Sequence, residues 1–252
     1  MFISTLFAIA LMSCSETEKT SAVTDSGSLC SSNIDQDADG LDECTESELG
    51  TSDQEADTDG DGDSDAQEIE CLSDPTNPDE ACYQCGWKRS DPGNITASGT
   101  EEGDIILNIP FVDQCGESIP LYDFADGYNV LFMTTQWCGA CAQEVEELED
   151  KADRFLELYG FEVRYLIGVF QDNNASVPGP EVAEQYADGT EMTRFPVLAD
   201  VDGLLIDNTP YEGLQLPGKC ALSPEMEILG CATGSAAEEF IFSVIVEHQT
   251  NQ

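Results

Sequence analysis

Asn129-Val130-Leu131-Phe132-Met133-Thr134-Thr135-Gln136-Trp137-Cys138-Gly139-Ala140-Cys141-Ala142-Gln143-Glu144 is the stretch on which the fold turns. Its apolar opening reads as a strand, and it ends in a Gly-containing turn. A helical segment should follow, running to about Tyr159, because Val145, Leu148, Ala152, Phe155 and Leu156 recur near helical spacing. That order places Cys138 at a helix N-terminus, where unpaired N–H groups and the macrodipole favour a thiolate. Cys141 then lies one turn into the helix, within reach of a mixed disulfide formed at Cys138. Cys138 is the expected nucleophile and Cys141 the resolving thiol.

Working outward, apolar strand candidates at Val130–Met133 and Val163–Val169 alternate with helical stretches, as in an α/β domain. No glycine-rich phosphate loop occurs, so no organic cofactor is expected. The chain of 252 residues carries 52 Asp plus Glu against 8 Lys plus Arg, a formal net charge of −44. Nucleic-acid affinity comes largely from cations that release counterions, so a DNA- or RNA-binding role is excluded. With one His, His248, chemistry by Cys–His or Ser–His pairs has little raw material. Eleven Cys point to an oxidising compartment.

The acidity has internal order. Asp57, Asp59, Asp61, Asp65 and Glu68 occupy positions 1, 3, 5, 9 and 12 of a twelve-residue loop, with Gly62 at 6 and Asp63 offering its carbonyl at 7. Asp35, Asp37, Asp39, Glu43 and Glu46 repeat those positions 22 residues earlier, with Gly40 at 6 and the Leu41 carbonyl at 7. An oxygen cage around a hard divalent cation needs this layout, so two structural calcium sites are expected. A self-repelling acidic linker is the alternative.

Phe2 to Met12 is too short to span a bilayer but suits a signal-peptide core. Ser15 to Ser32 reads as a flexible tether. Cys30, Cys44, Cys71, Cys82, Cys85 and Cys115 cluster around the acidic segment, where disulfides would replace a poor apolar core and sequence leaves 15 connectivities open. A four-Cys zinc site joining Cys82 and Cys85 to Cys138 and Cys141 is disfavoured by the long gap between the pairs.

Three resemblances sharpen this reading. Leu11-Met12-Ser13-Cys14 resembles the lipobox of bacterial lipoproteins, which implies lipidation at Cys14 and an extracytoplasmic, membrane-anchored location on the periplasmic or cell-surface side, with the outer membrane as the expected membrane. Residues 33–80 resemble thrombospondin type 3 repeats, through the two loops, Glu48-Leu49-Gly50-Thr51 and Asp74-Pro75-Thr76-Asn77-Pro78. Residues 101–250 resemble the thioredoxin superfamily through Trp137-Cys138-Gly139-Ala140-Cys141, and within it the redoxin group of peroxiredoxins and anchored thiol–disulfide reductases. Pro110 to Leu121 matches that group's N-terminal hairpin, and Phe195-Pro196-Val197-Leu198-Ala199-Asp200 a recurring segment. Pro217 stands at the place of its cis-proline, before a terminal hairpin on which Cys220 and Cys231 would be bridged.

The resemblance implies a thioredoxin-like fold, a central mixed sheet flanked by helices, behind a loop-rich calcium-binding module. The division expected is 1–13 leader, 14–32 tether, 33–80 acidic repeats, 81–100 cysteine-containing linker and 101–252 redoxin domain. It implies disulfide exchange with thiol- or disulfide-containing proteins, carried by Cys138, Cys141, Trp137, Pro217 and Glu144. Phe132 replaces thioredoxin's buried acid, and Glu144 matches an acidic residue that anchored reductases carry beside their pair. Thr135 fits a peroxidatic Pro-x-x-x-Thr-x-x-Cys pattern, but Leu131 stands at its Pro. Thiol peroxidase and non-catalytic surface scaffold or adhesion protein are the alternatives.

Overall fold

The structure, a computed structural model, describes residues 34–90, 93–211, 215–234 and 237–252. The leader, Cys14, the tether and Cys30 lie outside the described residues.

Seven strands, β1 (Pro110–Asp113), β2 (Ser118–Pro120), β3 (Asn129–Thr134), β4 (Arg164–Val169), β5 (Val197–Ala199), β6 (Gly218–Leu222) and β7 (Ile228–Thr233), form one sheet. Their order is β2-β1-β5-β4-β3-β6-β7, with β3, β4 and β5 parallel and the flanking pairs antiparallel. β3, an interior strand between β4 and β6, is buried at every residue, so it needs apolar side chains on both faces, and Val130 to Met133 supply them. Alternation divides them: Val130 and Phe132 join one core, Leu131 and Met133 the other.

The first core lies under four helices, α3 (Gly139–Val145), α4 (Leu148–Tyr159), α5 (Glu181–Thr190) and α6 (Glu238–Thr250). The second is closed by the chain around Tyr83 to Ile109 and by 3-10 turns at Leu121–Phe124 and Ile206–Asn208. A Cβ on Gly168 of β4 would meet Leu205 Cδ2 at 2.7 Å, which shows how closely that cover approaches. The arrangement is a mixed α/β, thioredoxin-like fold.

The helix expected to run from Cys138 to Tyr159 is broken. α3 ends at Val145, Glu147 N bonds to Glu144 O at 3.1 Å, and α4 begins at Leu148. Glu144, in the last turn of α3, is buried on the face of Cys141 and Val145, while Glu146 and Glu147 at the joint stay in solvent. Periodicity alone could not show the break, because apolar positions continue in phase across the joint.

Two short helices, α1 (Glu43–Leu49) and α2 (Asp65–Cys71), close the two acidic loops. Asp42 caps α1, and Ser64 with Gln67 forms a capping box on α2. Residues 82–89 tie this region to the β1–β2 edge. Cys71–Cys82 and Cys85–Cys115 are bridged, Tyr83 OH donates to Asp123, Trp87 Nε1 donates to Asp113, and Arg89 N donates to Cys71 O. Cys44 is disulfide-bonded as well. Among the described residues, no helix is long and apolar enough to cross a membrane.

Candidate redox site and metal cages

β3 delivers Thr134 and Thr135, the chain turns at Gln136 and Trp137, and Cys138 becomes the N-cap of α3. Cys138 and Cys141 are disulfide-bonded, with Cα atoms 5.3 Å apart. Cys138 Sγ also accepts from Cys141 N at 3.3 Å. On reduction that N–H and the helix end would favour a Cys138 thiolate. Cys141 is wholly buried and Cys138 keeps 9% exposure, which makes Cys138 the more accessible of the two. Trp137 is 49% exposed and held by Nε1 donating to Gln171 Oε1 at 3.2 Å.

The Leu216–Pro217 peptide is cis, and Pro217 leads directly into β6, the antiparallel neighbour of β3. A cavity of about 360 Å³ opens at Trp137, the residue before Cys138, and is lined also by Phe170, Gln171, Val177, Ile206 and Leu216. Cys220 and Cys231 are bridged across β6 and β7. Cys220 faces the second core and Lys219 the first, so this bridge and the α3 pair sit on opposite sides of the sheet.

Behind the pair is a charge cluster that sequence reasoning missed. Lys219, fully buried, stands opposite Phe132 in the β3–β6 register. Its Nζ donates to Glu144 Oε1 and Glu238 Oε2, both at 2.6 Å. Lys151 Nζ adds a bond to Glu144 at 2.9 Å, and Tyr165 OH donates to Glu238. Burial opposes the charge of Glu144, but hydrogen bonds from Lys219 and Lys151 prevail and hold its carboxyl below the usual range. Glu144, expected to manage protons beside the pair, is held as an anion between two lysines. The available signal was a lone Lys in the apolar run Gly218 to Leu222, in a chain with 8 cations.

The two acidic loops match bond for bond. Asp35 accepts from Ala38 N and Gly40 N as Asp57 does from Gly60 N and Gly62 N. Asp37 accepts from Asp39 N as Asp59 does from Asp61 N, and Asp39 from Leu41 N as Asp61 does from Asp63 N. Gly40 and Gly62 both have φ of 115°, a conformation closed to side chains. The bonds draw Asp35, Asp37 and Asp39 together with carboxylate oxygens within 4.8 Å of one another, and Asp57, Asp59 and Asp61 likewise.

Glu46 and Glu68, the closing acids, are 1% and 0% exposed. Both oxygens of Glu46, and one each of Asp37, Asp59, Asp61 and Glu68, are buried without a hydrogen-bond partner. Burial, and then the charge of Asp37, Asp53 and Asp39, pushes Glu46 up to about 7. Burial, opposed by the Ser73 hydroxyl and reinforced by Asp59, Asp61 and Asp65, pushes Glu68 up to about 7. Buried carboxylates without cationic partners are costly, and an oxygen-seeking cation would satisfy these donors, so the residues fit calcium.

Not every expected ligand turns inward. Asp65 places its two carboxylate oxygens on Thr58 N and Oγ1, at 2.9 and 2.8 Å, and so braces the loop backbone. The Asp63 carboxylate accepts from Cys82 N at 3.0 Å, leaving its carbonyl as the atom available at position 7. Glu43 is half-buried in the first turn of α1, and Leu41 is half-buried at position 7 of its loop.

The comparison with curated proteins gives no significant match. Similar solved structures include peroxidoxin BcpB from Mycobacterium tuberculosis, 16% identical over 58% of this chain and 96% of that one, TM-score 0.46. The thioredoxin domain of a thiol–disulfide oxidoreductase from Bacteroides vulgatus is 18% identical over 57% and 97%, TM-score 0.42. Copper-bound Sco1 from yeast is 13% identical over 59% and 94%, TM-score 0.47. The AhpC/TSA family profile matches residues 103–228, half of the sequence, including β3, the Cys138–Cys141 turn and β6, and the chain therefore belongs to the AhpC/TSA family.

Proposed function

We propose that the chain is a thiol–disulfide oxidoreductase acting on extracytoplasmic proteins, held at a membrane by a lipid on Cys14 and set off from it by a calcium-stiffened arm. The observation that carries the reaction is the Cys138–Cys141 bridge at the start of α3, in which Cys138 keeps 9% exposure and Cys141 none. In the reducing direction, the Cys138 thiolate attacks a partner disulfide, forming a mixed disulfide and releasing the partner's other sulfur as a thiolate. Cys141 then loses its proton and attacks Cys138 Sγ, which restores the intramolecular bridge and frees the partner's second thiol. The cavity lined by Trp137, Phe170, Gln171 and Leu216 suits an extended partner segment next to the reacting sulfurs.

The acidic module, as a spacer, would hold calcium through Asp35, Asp37, Asp39 and Glu46 in one loop and Asp57, Asp59, Asp61 and Glu68 in the other. The ions supply stiffness there and take no part in the thiol chemistry.

Insulin-disulfide reduction with dithiothreitol as electron source tests the reaction. Wild type should accelerate it, Cys138→Ser should fall to the uncatalysed background, and Cys141→Ser should accumulate a mixed disulfide. Equal rates for wild type and Cys138→Ser would overturn the proposal and favour a scaffold. One observation favours thiol peroxidase as a second reading: Thr135 Oγ1, three residues before Cys138, is buried and unpartnered. Peroxide consumption that requires both Cys138 and Thr135 would support it.

A further inference from the structure

The two acidic loops differ beyond Gly50 and Leu72, the left-handed residues that end α1 and α2. Seven residues after the closing acid, the second repeat has Pro75 and the first has Asp53. Asp53 is brought back onto its own loop: Gln36 Nε2 donates to Oδ2, while Oδ1 is buried with no partner. Gln36 stands between the loop acids Asp35 and Asp37, and Glu46, which closes the loop, is 1% exposed with both oxygens unpartnered. In the second loop the corresponding closing acid, Glu68, instead accepts from Ser73 Oγ at 3.1 Å.

Resting on the calcium reading above, we infer that Asp53 is a further ligand of the first site, making it a five-carboxylate cage that binds its divalent cation more tightly than the second. Its members would be Asp35, Asp37 and Asp39, whose carboxylate oxygens cluster, joined by Glu46 and Asp53, which carry buried oxygens without partners. The second site has Asp57, Asp59, Asp61 and Glu68, with one Glu68 oxygen committed to a hydroxyl. Affinity in oxygen cages rises with the number of charged ligands, so the first site fills first. The sites also touch: Asp39 Oδ2 accepts from Ala66 N at 3.1 Å, so filling the first fixes the opening turn of α2. Asp53 lies outside the twelve-residue pattern, and its role is visible only once the chain folds back.

Calorimetric titration of the chelator-treated full chain with calcium alone tests this. Wild type should show two classes of site. Asp53→Asn should weaken the tighter class about tenfold and leave the weaker unchanged, while Asp61→Asn should do the reverse. Thermal melting in chelator separates ligation from folding: Asp53→Asn relieves repulsion on Glu46, so the calcium-free variant should melt no lower than wild type yet gain less from calcium. Two wild-type classes that Asp53→Asn leaves intact, or a loss confined to the weaker class, would overturn the role of Asp53 while the calcium reading stands. No calcium heat from wild type would overturn both.

Discussion

At Lys219 a single ammonium decides whether two carboxylates can be buried. It is fully enclosed and bonded to Glu144 and Glu238, and replacing an ion of such a cluster leaves its partners uncompensated. Lys219→Met should therefore lower stability by about 3 kcal/mol, the low end for a broken buried pair, since Lys151 still reaches Glu144. Because the folded carboxyl of Glu144 is depressed from 4.5, its contribution is complete above that value and is lost as pH falls through the lower, folded one. Denaturant unfolding should thus separate wild type from Glu144→Gln at pH 7 and bring them together once the pH lies below the folded value. A gap that stays constant with pH would mean that Glu144 is not held as an anion.

At the scale of elements, the two twelve-residue loops are small structures written in side-chain-to-backbone bonds, each ended by a helix of seven residues. Their carboxylates lack cationic partners, so a cation should stabilise them by about 2.7 kcal/mol per site at a hundredfold excess over Kd. Adding a chelator should lower the melting transition of the arm and expose Cys71–Cys82, whose Cys82 N is anchored on Asp63, to faster reduction. Unchanged melting and reduction rates in chelator would contradict the calcium reading.

These loops were legible because each ligand position recurs at a fixed offset, and β3 because its apolar run is bounded by turn residues. What stayed hidden depends on distant partners. The burial of Glu144 depends on a lysine 75 residues away. Asp53 acquires meaning only when the chain returns to Glu46. The docking of Trp87 onto Asp113, likewise, is a contact that no local pattern encodes.

Across the whole molecule, disulfides divide by position. Cys71–Cys82 and Cys85–Cys115 tie the acidic arm to the β1–β2 edge, and Cys220–Cys231 joins two strands within the sheet. Only Cys138–Cys141 spans three residues at a helix start beside a cis-proline strand and an open cavity, among the described bridges. Structural bridges resist the glutathione pool, with potentials below about −300 mV, whereas catalytic ones are more oxidising. The most direct measurement is a redox titration of the full chain in glutathione buffers, with alkylation and peptide mapping of each cysteine. Cys138 and Cys141 should become alkylated together at a potential well above every other pair, with Cys138 reacting first. If that pair stays oxidised until the structural bridges open, the chain does not work by exchange at this site.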